Sequence, residues 1–420
     1  MNGWIYRLQV VLRQPRFAGL LAASVALGLG FSFVSPFLSI WGLKYVGMKP
    51  MVFGLFMTAA ALSSIFVSTS LARWSDTHLP RKAMLLFGAV GGLIGYPLYA
   101  YVRDPRLLVL IAVTLVAPAA LCFSQLFAHT RDRFAEAEMP GVDKSLPVSM
   151  VRVCFSLAWT AGPSLGAWML LATGFHGLFL GAGALFLVFI VGIVLYVPYE
   201  QRPLDARQAI KEPVWQVLSR GDVFAAFFAF FLCYTATSMD TLNLPLLITQ
   251  DLHGTKVDLG IAYGIGPIVE MPLMLWFGYL AGRGRQLALI RLGAILTLAY
   301  FLALSLAHAP WHVFLARAIS GACIAIISNV AILFFQDLVP GQAGLATTVF
   351  YNATYCGNLL GYLTFGATVE RVGHRGIEMM ASGLAAGMGL ILFFIYRPRG
   401  HTGRMDPTVA PPMSVAESGI

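Results

Sequence analysis

Two acidic residues lie deep inside apolar stretches of the sequence. Asp240 and Glu270 are each flanked on both sides by residues that are mostly apolar. A charge at membrane depth is costly, and such a group is normally paired, protonated or exposed to a water-filled cavity. We therefore predict that both carboxyl groups bind protons, with Glu270 as the principal site. The alternatives are a structural acceptor role for Glu270 and a fixed ion pair between Asp240 and Arg317.

Tyrosine and asparagine side chains recur at helical spacing later in the sequence. Tyr351, Tyr355 and Asn358 share one helical face with Thr348 and Tyr362. Against lipid, their polar groups would lack hydrogen-bond partners, so we expect this face to meet protein or a cavity. Flat rings combined with hydrogen-bonding groups suit the recognition of a polyol. A hydrogen-bonded seam between helices is the alternative.

Three more side chains are candidates for binding a small polar molecule. They are Gln125, Trp159 and Asn243, which lie in three separate apolar segments. The flat apolar face of an indole can stack on a sugar ring, and an amide both donates and accepts hydrogen bonds. A tryptophan that faces lipid or the protein core is the competing interpretation of Trp159.

Small residues repeat every four positions in the segment that begins near Arg152. Ala158, Gly162 and Gly166 fall on one helical face, and this spacing lets two helices approach closely. Pro163 lacks an N–H group and should bend the helix. The pattern predicts either a packing contact or a pliable seam, and we assign structural or gating roles to Arg152, Gly162 and Pro163.

The composition excludes a water-soluble globule. Of the 420 residues, 58% are hydrophobic and 11% are charged, whereas an ordinary soluble domain has about 25% charged residues. The formal net charge of +9 comes from short basic clusters between apolar runs, which does not indicate a nucleic-acid surface. The sequence contains no phosphate-binding loop, metal-ligand cluster or nucleophile–base pair. We therefore predict no cofactor, no nucleic-acid partner and no enzymatic activity.

The apolar runs predict an all-α polytopic membrane protein in the lipid bilayer. About 20 apolar residues are needed for one helical crossing. Twelve runs qualify, in the residue ranges 17–43, 51–72, 83–102, 107–128, 148–171, 175–198, 223–248, 258–281, 286–307, 310–335, 344–368 and 376–396.

The polar connections predict the orientation and the domain organisation. Lysine and arginine are roughly three times as frequent in the segments on the side of the N-terminus as in the opposite loops, which places both termini in the cytoplasm. A polar stretch rich in proline and charge separates two sets of six spans. We predict an N-terminal six-helix bundle (1–198), a cytoplasmic linker (199–222), a C-terminal six-helix bundle (223–396) and a disordered cytoplasmic tail (397–420).

Several motifs resemble a known family. The stretch 72–82, with Asp76, Arg81 and Lys82, resembles the loop signature that follows the second span in the major facilitator superfamily. Within that superfamily, the chain resembles bacterial sugar efflux transporters, and this resemblance covers most of residues 24–370. It rests on Arg152 with the segment 156–163, on the segment 125–131, on Glu270 with the two residues after it, and above all on the run 335–352, which includes Gln336 and Asp337.

The resemblance implies a function and roles for several residues. It implies proton-coupled efflux of sugars or sugar-like molecules by alternating access, from a monomer in a bacterial inner membrane. Glu270 and Asp240 would couple protons, and Asp76, Arg81, Gln336, Asp337 and Arg317 would be structural or gating residues. A multidrug/proton antiporter is the first alternative, and a membrane-embedded enzyme or sensor without transport is the second.

Overall fold

The protein is all-helical throughout the part that the structure describes. The computed structural model describes residues 10–67, 80–135, 146–198, 214–339 and 342–395. The predicted tail and most of the predicted linker lie outside these ranges. Within them, nine helices are long and apolar enough to cross a membrane, so the chain is a multi-pass membrane protein.

Two of these nine helices are each broken by one glycine. Leu146–Tyr196 is 51 residues long, far longer than the stretch of about 20 residues that one crossing requires. Gly174 lies within it at φ 71° and ψ −167°, a backbone conformation that glycine adopts without steric cost. Gly373, at φ 70° and ψ 175°, breaks Ala343–Leu390 in the same way. Each of the two is therefore a pair of helices joined by a tight turn.

The helices are numbered in chain order. They are α1 (Phe17–Ser32, followed by short turns to Tyr45), α2 (Pro50–Phe66), α3 (Arg81–Tyr101), α4 (Pro105–Ile111 and Ala120–Ala135), α5 and α6 (Leu146–Tyr196 before and after Gly174), α7 (Gly221–Leu246), α8 (Lys256–Leu280), α9 (Gln286–Ser305), α10 (Pro310–Ile324 and Ala331–Leu338), and α11 and α12 (Ala343–Leu390 before and after Gly373). A short helix, Val214–Leu218, precedes α7. We call helices α1–α6 the first half and helices α7–α12 the second half.

One face of the bundle is defined by four short loops, residues 46–49, 102–104, 252–255 and 306–309. We call it the closed face, because the two halves pack together beside it. A Cβ atom added to Gly54 of α2 would lie 2.7 Å from the carbonyl oxygen of Tyr362 in α11. The hydroxyl of Ser164 in α5 donates to the carbonyl of Gly260 in α8 at 3.4 Å.

The buried apolar residues show the same continuity between the halves. One cluster extends from the first half into α7 and α9 near the closed face, where it includes Met239, Leu246 and Phe301. The other cluster lies in the second half and includes Phe230, Phe335 and Ile290. The contact between the halves is therefore formed by the ends of the helices near the closed face.

Candidate functional site

Glu270 lies in α8, the helix of the second half that packs against α5 of the first half. Its side chain is half-buried, and the cations that act on its carboxylate are Arg152 of α5 and Arg317 of α10. Within the described ranges, neither Glu270 nor Asp240 forms a salt bridge. Glu270 is thus an acidic group at the interface between the halves, with an arginine of each half acting on it.

The α5 helix contributes exposed side chains next to this interface. Arg152 is exposed, and Trp159, which follows it by two helical turns, has 37% of its surface exposed. The indole ring lies 6.3 Å from the ring of Phe155, between ring centroids. An exposed indole on the face that carries Arg152 is available to a ligand or to lipid.

The small residues of α5 form a packing contact within the first half. A Cβ atom at Gly162 would lie 1.9 Å from the hydroxyl oxygen of Ser32 in α1, and that hydroxyl donates to the carbonyl of Ala158 at 3.0 Å. A Cβ atom at Gly166 would lie 2.3 Å from the carbonyl oxygen of Phe33. Gly162 therefore joins α1 to α5, while buried Pro163 lies where α5 meets α8.

The tyrosine and asparagine face of α11 lies to one side of the contact between α11 and α7. Gly361 packs against α7, since a Cβ atom there would lie 2.4 Å from the carbonyl oxygen of Thr235. At about 100° per residue, Tyr351, Tyr355 and Asn358 lie between about 60° and 120° around the helix from that contact. The same side of α11 continues to the contact with α2 near the closed face.

The rings on this face are accessible. Tyr351 is exposed, Tyr355 and Asn358 are half-buried, and the two tyrosine rings stack with centroids 6.0 Å apart. Accessible aromatic rings beside an amide provide both stacking surfaces and hydrogen-bonding groups.

The other predicted polar residues are less accessible or lie elsewhere. Gln125 is 3% exposed and accepts a hydrogen bond from the guanidinium of Arg81 at 3.1 Å. Gln336 donates to the hydroxyl of Thr347 at 3.3 Å, and Asp337 is exposed. Asp76 lies outside the described residues. The amide of Gln125 therefore serves a contact within the first half.

Asp240 and Arg317 belong to one buried cluster in the second half. The hydroxyl of Tyr300 donates to Asp240 Oδ2 at 2.9 Å and accepts from Arg317 at 3.3 Å. Arg317 also donates to the carbonyl of Ala262 and to the hydroxyl of Ser320. The predicted contact between Asp240 and Arg317 is thus indirect, with a phenol between the two charges.

A third buried acid, Glu378 of α12, completes this cluster. Its carboxylate accepts a hydrogen bond from the amide of Asn243 at 2.7 Å. That amide also donates to the carbonyl of His374 at 2.8 Å, and its oxygen lies 2.8 Å from His374 Nδ1. Asn243 is 0% exposed, so its hydrogen-bonding groups serve the protein rather than a ligand.

The sequence analysis singles out Asp240 and Glu270 as acids inside the spans and does not identify Glu378. Glu378 is fully buried although it is only the third residue of its predicted span. A position so near a span end suggested contact with water, but the tight turn at Gly373 folds this end of α12 against α7. The signal in the sequence was a glutamate followed by an apolar run.

A pocket of about 240 Å³ lies at the closed face between the two halves. Its polar lining residues are Lys44 of the first half and Gln250, Glu370 and His374 of the second half. His374 thus borders this pocket on one side and contacts Asn243 on the other. Within the described ranges, no group of three or more His, Cys, Asp and Glu residues could hold a metal ion.

A family model matches most of the chain. The profile of the Major Facilitator Superfamily matches residues 20–313 and 243–417. The chain belongs to this superfamily. Its members are transport proteins rather than enzymes, which confirms the prediction that the chain has no enzymatic activity.

Known relatives cover nearly the whole chain. The chain is 31% identical over 392 residues to a putative sugar efflux transporter of Deinococcus radiodurans, which covers 92% of this chain and 99% of the relative. It is 29% identical to sugar efflux transporter A of Dickeya chrysanthemi over 88% of this chain and 92% of the relative. The predicted resemblance to the superfamily and to sugar efflux transporters is thereby confirmed.

A solved structure supports the fold. The crystal structure of the nucleoside transporter NupG matches with a TM-score of 0.76 over 92% of this chain and 100% of that chain. The two sequences are 13% identical, so the match concerns the fold alone.

Proposed function

We propose that the protein is a proton-coupled secondary transporter that exports sugars or sugar-like small molecules across a bacterial inner membrane. The observation that carries the proposal is Glu270, a half-buried acid of the second half acted on by Arg152 of the first half. The names of the relatives support sugars as the substrate and export as the direction.

The proposed topology has twelve spans with both termini in the cytoplasm. The nine candidate spans include two that a glycine divides, and α2 is a shorter apolar helix that ends where the described residues end. The excess of lysine and arginine in the segments on the side of the termini supports this orientation. On that orientation the closed face is periplasmic, and the molecule works as a monomer.

Alternating access would open and close the contact between the halves. The close approach of α2 to α11 and of α5 to α8 supports a state that is sealed at the closed face. Movement of one half against the other would break these contacts and expose the interface to the other side. Substrate would bind between the halves near Trp159, Tyr351, Tyr355 and Asn358.

Glu270 is the proposed principal proton-coupling residue, and Asp240 is a second one. A proton that moves through 100 mV releases about 2.3 kcal/mol. At about 1.4 kcal/mol per factor of ten, this supports a substrate gradient of about 40-fold. One titrating carboxylate is therefore energetically sufficient.

The decisive experiment is transport into liposomes that contain the purified protein. An imposed pH gradient should drive labelled mono- or disaccharides uphill, and unlabelled sugar should compete. Competition by lipophilic cations without competition by sugars would instead identify a multidrug/proton antiporter. Absence of counterflow with any sugar or cation would contradict a transporter of either substrate class.

A further inference from the structure

Asp240 and Glu378 form a buried pair of carboxyl groups from α7 and α12. Their exposed fractions are 4% and 0%, respectively, and each carboxyl group acts on the other. One oxygen of each is satisfied, because Tyr300 donates to Asp240 Oδ2 and Asn243 donates to Glu378 Oε1.

The other two oxygens have no donor. Within the described part of the chain, no group donates a hydrogen bond to Asp240 Oδ1 or Glu378 Oε2. An ionised carboxylate can only accept hydrogen bonds, whereas a protonated one can donate. Two ionised groups here would leave two buried acceptors without a donor, which is a costly arrangement.

The charged and polar groups around the pair also favour a single negative charge on it. The groups that face it from all the neighbouring helices are one cation, two phenols, one amide and one imidazole, namely Arg317, Tyr300, Tyr263, Asn243 and His374. Asp251 and Lys44 act on His374 at the closed face. A single buried arginine balances one negative charge, and two like charges in close contact cannot both ionise without penalty.

We propose that Asp240 and Glu378 share one proton, held between Asp240 Oδ1 and Glu378 Oε2, as a second proton-binding site separate from Glu270. The pair then carries one negative charge, which Arg317 balances through the hydroxyl of Tyr300. Proton release breaks one carboxyl O–H bond and transfers the proton to water, leaving two carboxylates opposite one arginine. Only the coupling of this release to substrate movement rests on the proposed function.

The geometry also indicates where water would reach the pair. His374 lines the pocket at the closed face, and its contacts hold the Asn243 amide that orients Glu378. The amide of Asn243 does not itself carry protons. His374 and Asn243 therefore separate the pair from the pocket. Separation of the halves at the closed face would open the pocket beside His374 to water, while the contacts of His374 and Glu378 with Asn243 lie within the second half.

Infrared spectroscopy of the purified protein tests the shared proton directly. The measurement follows the C=O band of protonated carboxyl groups while the pH is raised from about 6 to about 9, a range in which exposed Asp and Glu stay ionised. It is done in a Glu270→Gln background, so that Glu270 does not contribute. We expect one carboxyl group to lose its proton in this background.

The variants separate a shared proton from two independent ones. Because the proton belongs to both acids, Glu378→Gln and Asp240→Asn should each abolish the whole titration, whereas exposed Glu370→Gln should leave it unchanged. A titrating carboxyl group that survives in either single variant would overturn the proposal. So would the absence of a protonated band in the background protein.

The pH dependence of unfolding gives a second measurement without substrate. A folded protein that holds one extra proton is stabilised by acid, so its unfolding equilibrium constant should rise about tenfold per pH unit until the pair loses the proton. This component of the slope should vanish in Glu378→Gln, because the amide donates the hydrogen bond at every pH. An unchanged slope would contradict the shared proton, even if sugar transport were lost or retained. If Glu378→Gln does not fold, Asp240→Asn provides the reciprocal measurement.

Discussion

Asp240 and Arg317 lie in one buried cluster without touching, because the hydroxyl of Tyr300 lies between them. A direct ion pair would have used the full attraction of the two charges, whereas the phenol bridges them with one hydrogen bond on each side. Since the aspartate also interacts with Glu378, the arginine serves a cluster built from four helices rather than one partner. The electrostatic coupling of Asp240 to Arg317 should therefore depend on Tyr300.

A double-mutant cycle with Asp240→Asn and Arg317→Gln measures this coupling. Residues in one hydrogen-bond network couple by about 0.5–3 kcal/mol in the free energy of unfolding. We expect a value in this range with Tyr300 present, and less than half of it in a Tyr300→Phe background. Tyr96→Phe, a change of a buried tyrosine in the first half, is the matched control. Equal coupling in both backgrounds would show that the charges interact without the phenol.

The sequence predicts the helices that carry this cluster better than it predicts the contacts between their side chains. Apolar runs of membrane-spanning length predict the helices. The free-energy cost of a charged side chain inside the membrane is enough to mark Asp240 and Glu270 as unusual. The same reasoning does not identify Glu378, because Glu378 lies near the end of a predicted span, where contact with water is expected. Only the packing of α12 on α7 buries it.

The amide side chains of Gln125 and Asn243 show a similar limit of prediction from the sequence. Gln125 and Asn243 are predicted as ligand-binding groups because their donors and acceptors have no evident partners in the sequence. In the structure, Arg81 and Glu378 are those partners. Both partners are distant in sequence and lie on other helices, so periodicity within one helix cannot reveal them. The accessible side chains Trp159 and Tyr351, in contrast, remain candidates for substrate binding.

Glu270→Gln should abolish transport driven by an imposed pH gradient while leaving the protein folded. The amide keeps the shape of the carboxyl group but cannot lose a proton in the physiological range. Exchange of labelled for unlabelled sugar, which needs no net proton movement, should persist. Measurement of both activities in the same liposomes, beside the exposed-acid control Glu370→Gln, separates coupling from substrate binding. Uphill transport at the wild-type rate would exclude Glu270 as the principal coupling site.

Tyr355→Phe and Asn358→Ala should each weaken sugar binding by up to about tenfold. A hydrogen bond contributes about 0.5–1.5 kcal/mol net, and 1.4 kcal/mol corresponds to a factor of ten. The melting temperature should change little, because the side chains of Tyr355 and Asn358 are only half-buried. Affinity and melting temperature are measured together, with Tyr101→Phe, an exposed tyrosine at the end of α3, as the control. A lower melting temperature with unchanged affinity would instead identify a packing seam.

Larger residues at the α2–α11 contact should favour the state in which the closed face is open. A Cβ atom at Gly54 would lie 2.7 Å from the Tyr362 carbonyl, and one at Gly366 would lie 2.8 Å from the Pro50 carbonyl. Both neighbours are backbone atoms that cannot move aside as a side chain would. Overpacking of this kind costs about 1–3 kcal/mol, which shifts an equilibrium between two states by about fivefold to 150-fold.

Gly54→Leu and Gly366→Leu should therefore slow transport while sugar binding is retained, since neither residue lies among the proposed binding groups. A cysteine introduced at Gln250, which lines the pocket at the closed face, reports the opening through its rate of reaction with a membrane-impermeant thiol reagent. That rate should rise in both variants. It should not change in Gly383→Leu, because a Cβ atom at Gly383 of α12 meets no atom within 4 Å. An unchanged labelling rate together with normal transport would show that the halves do not need this close approach in order to alternate.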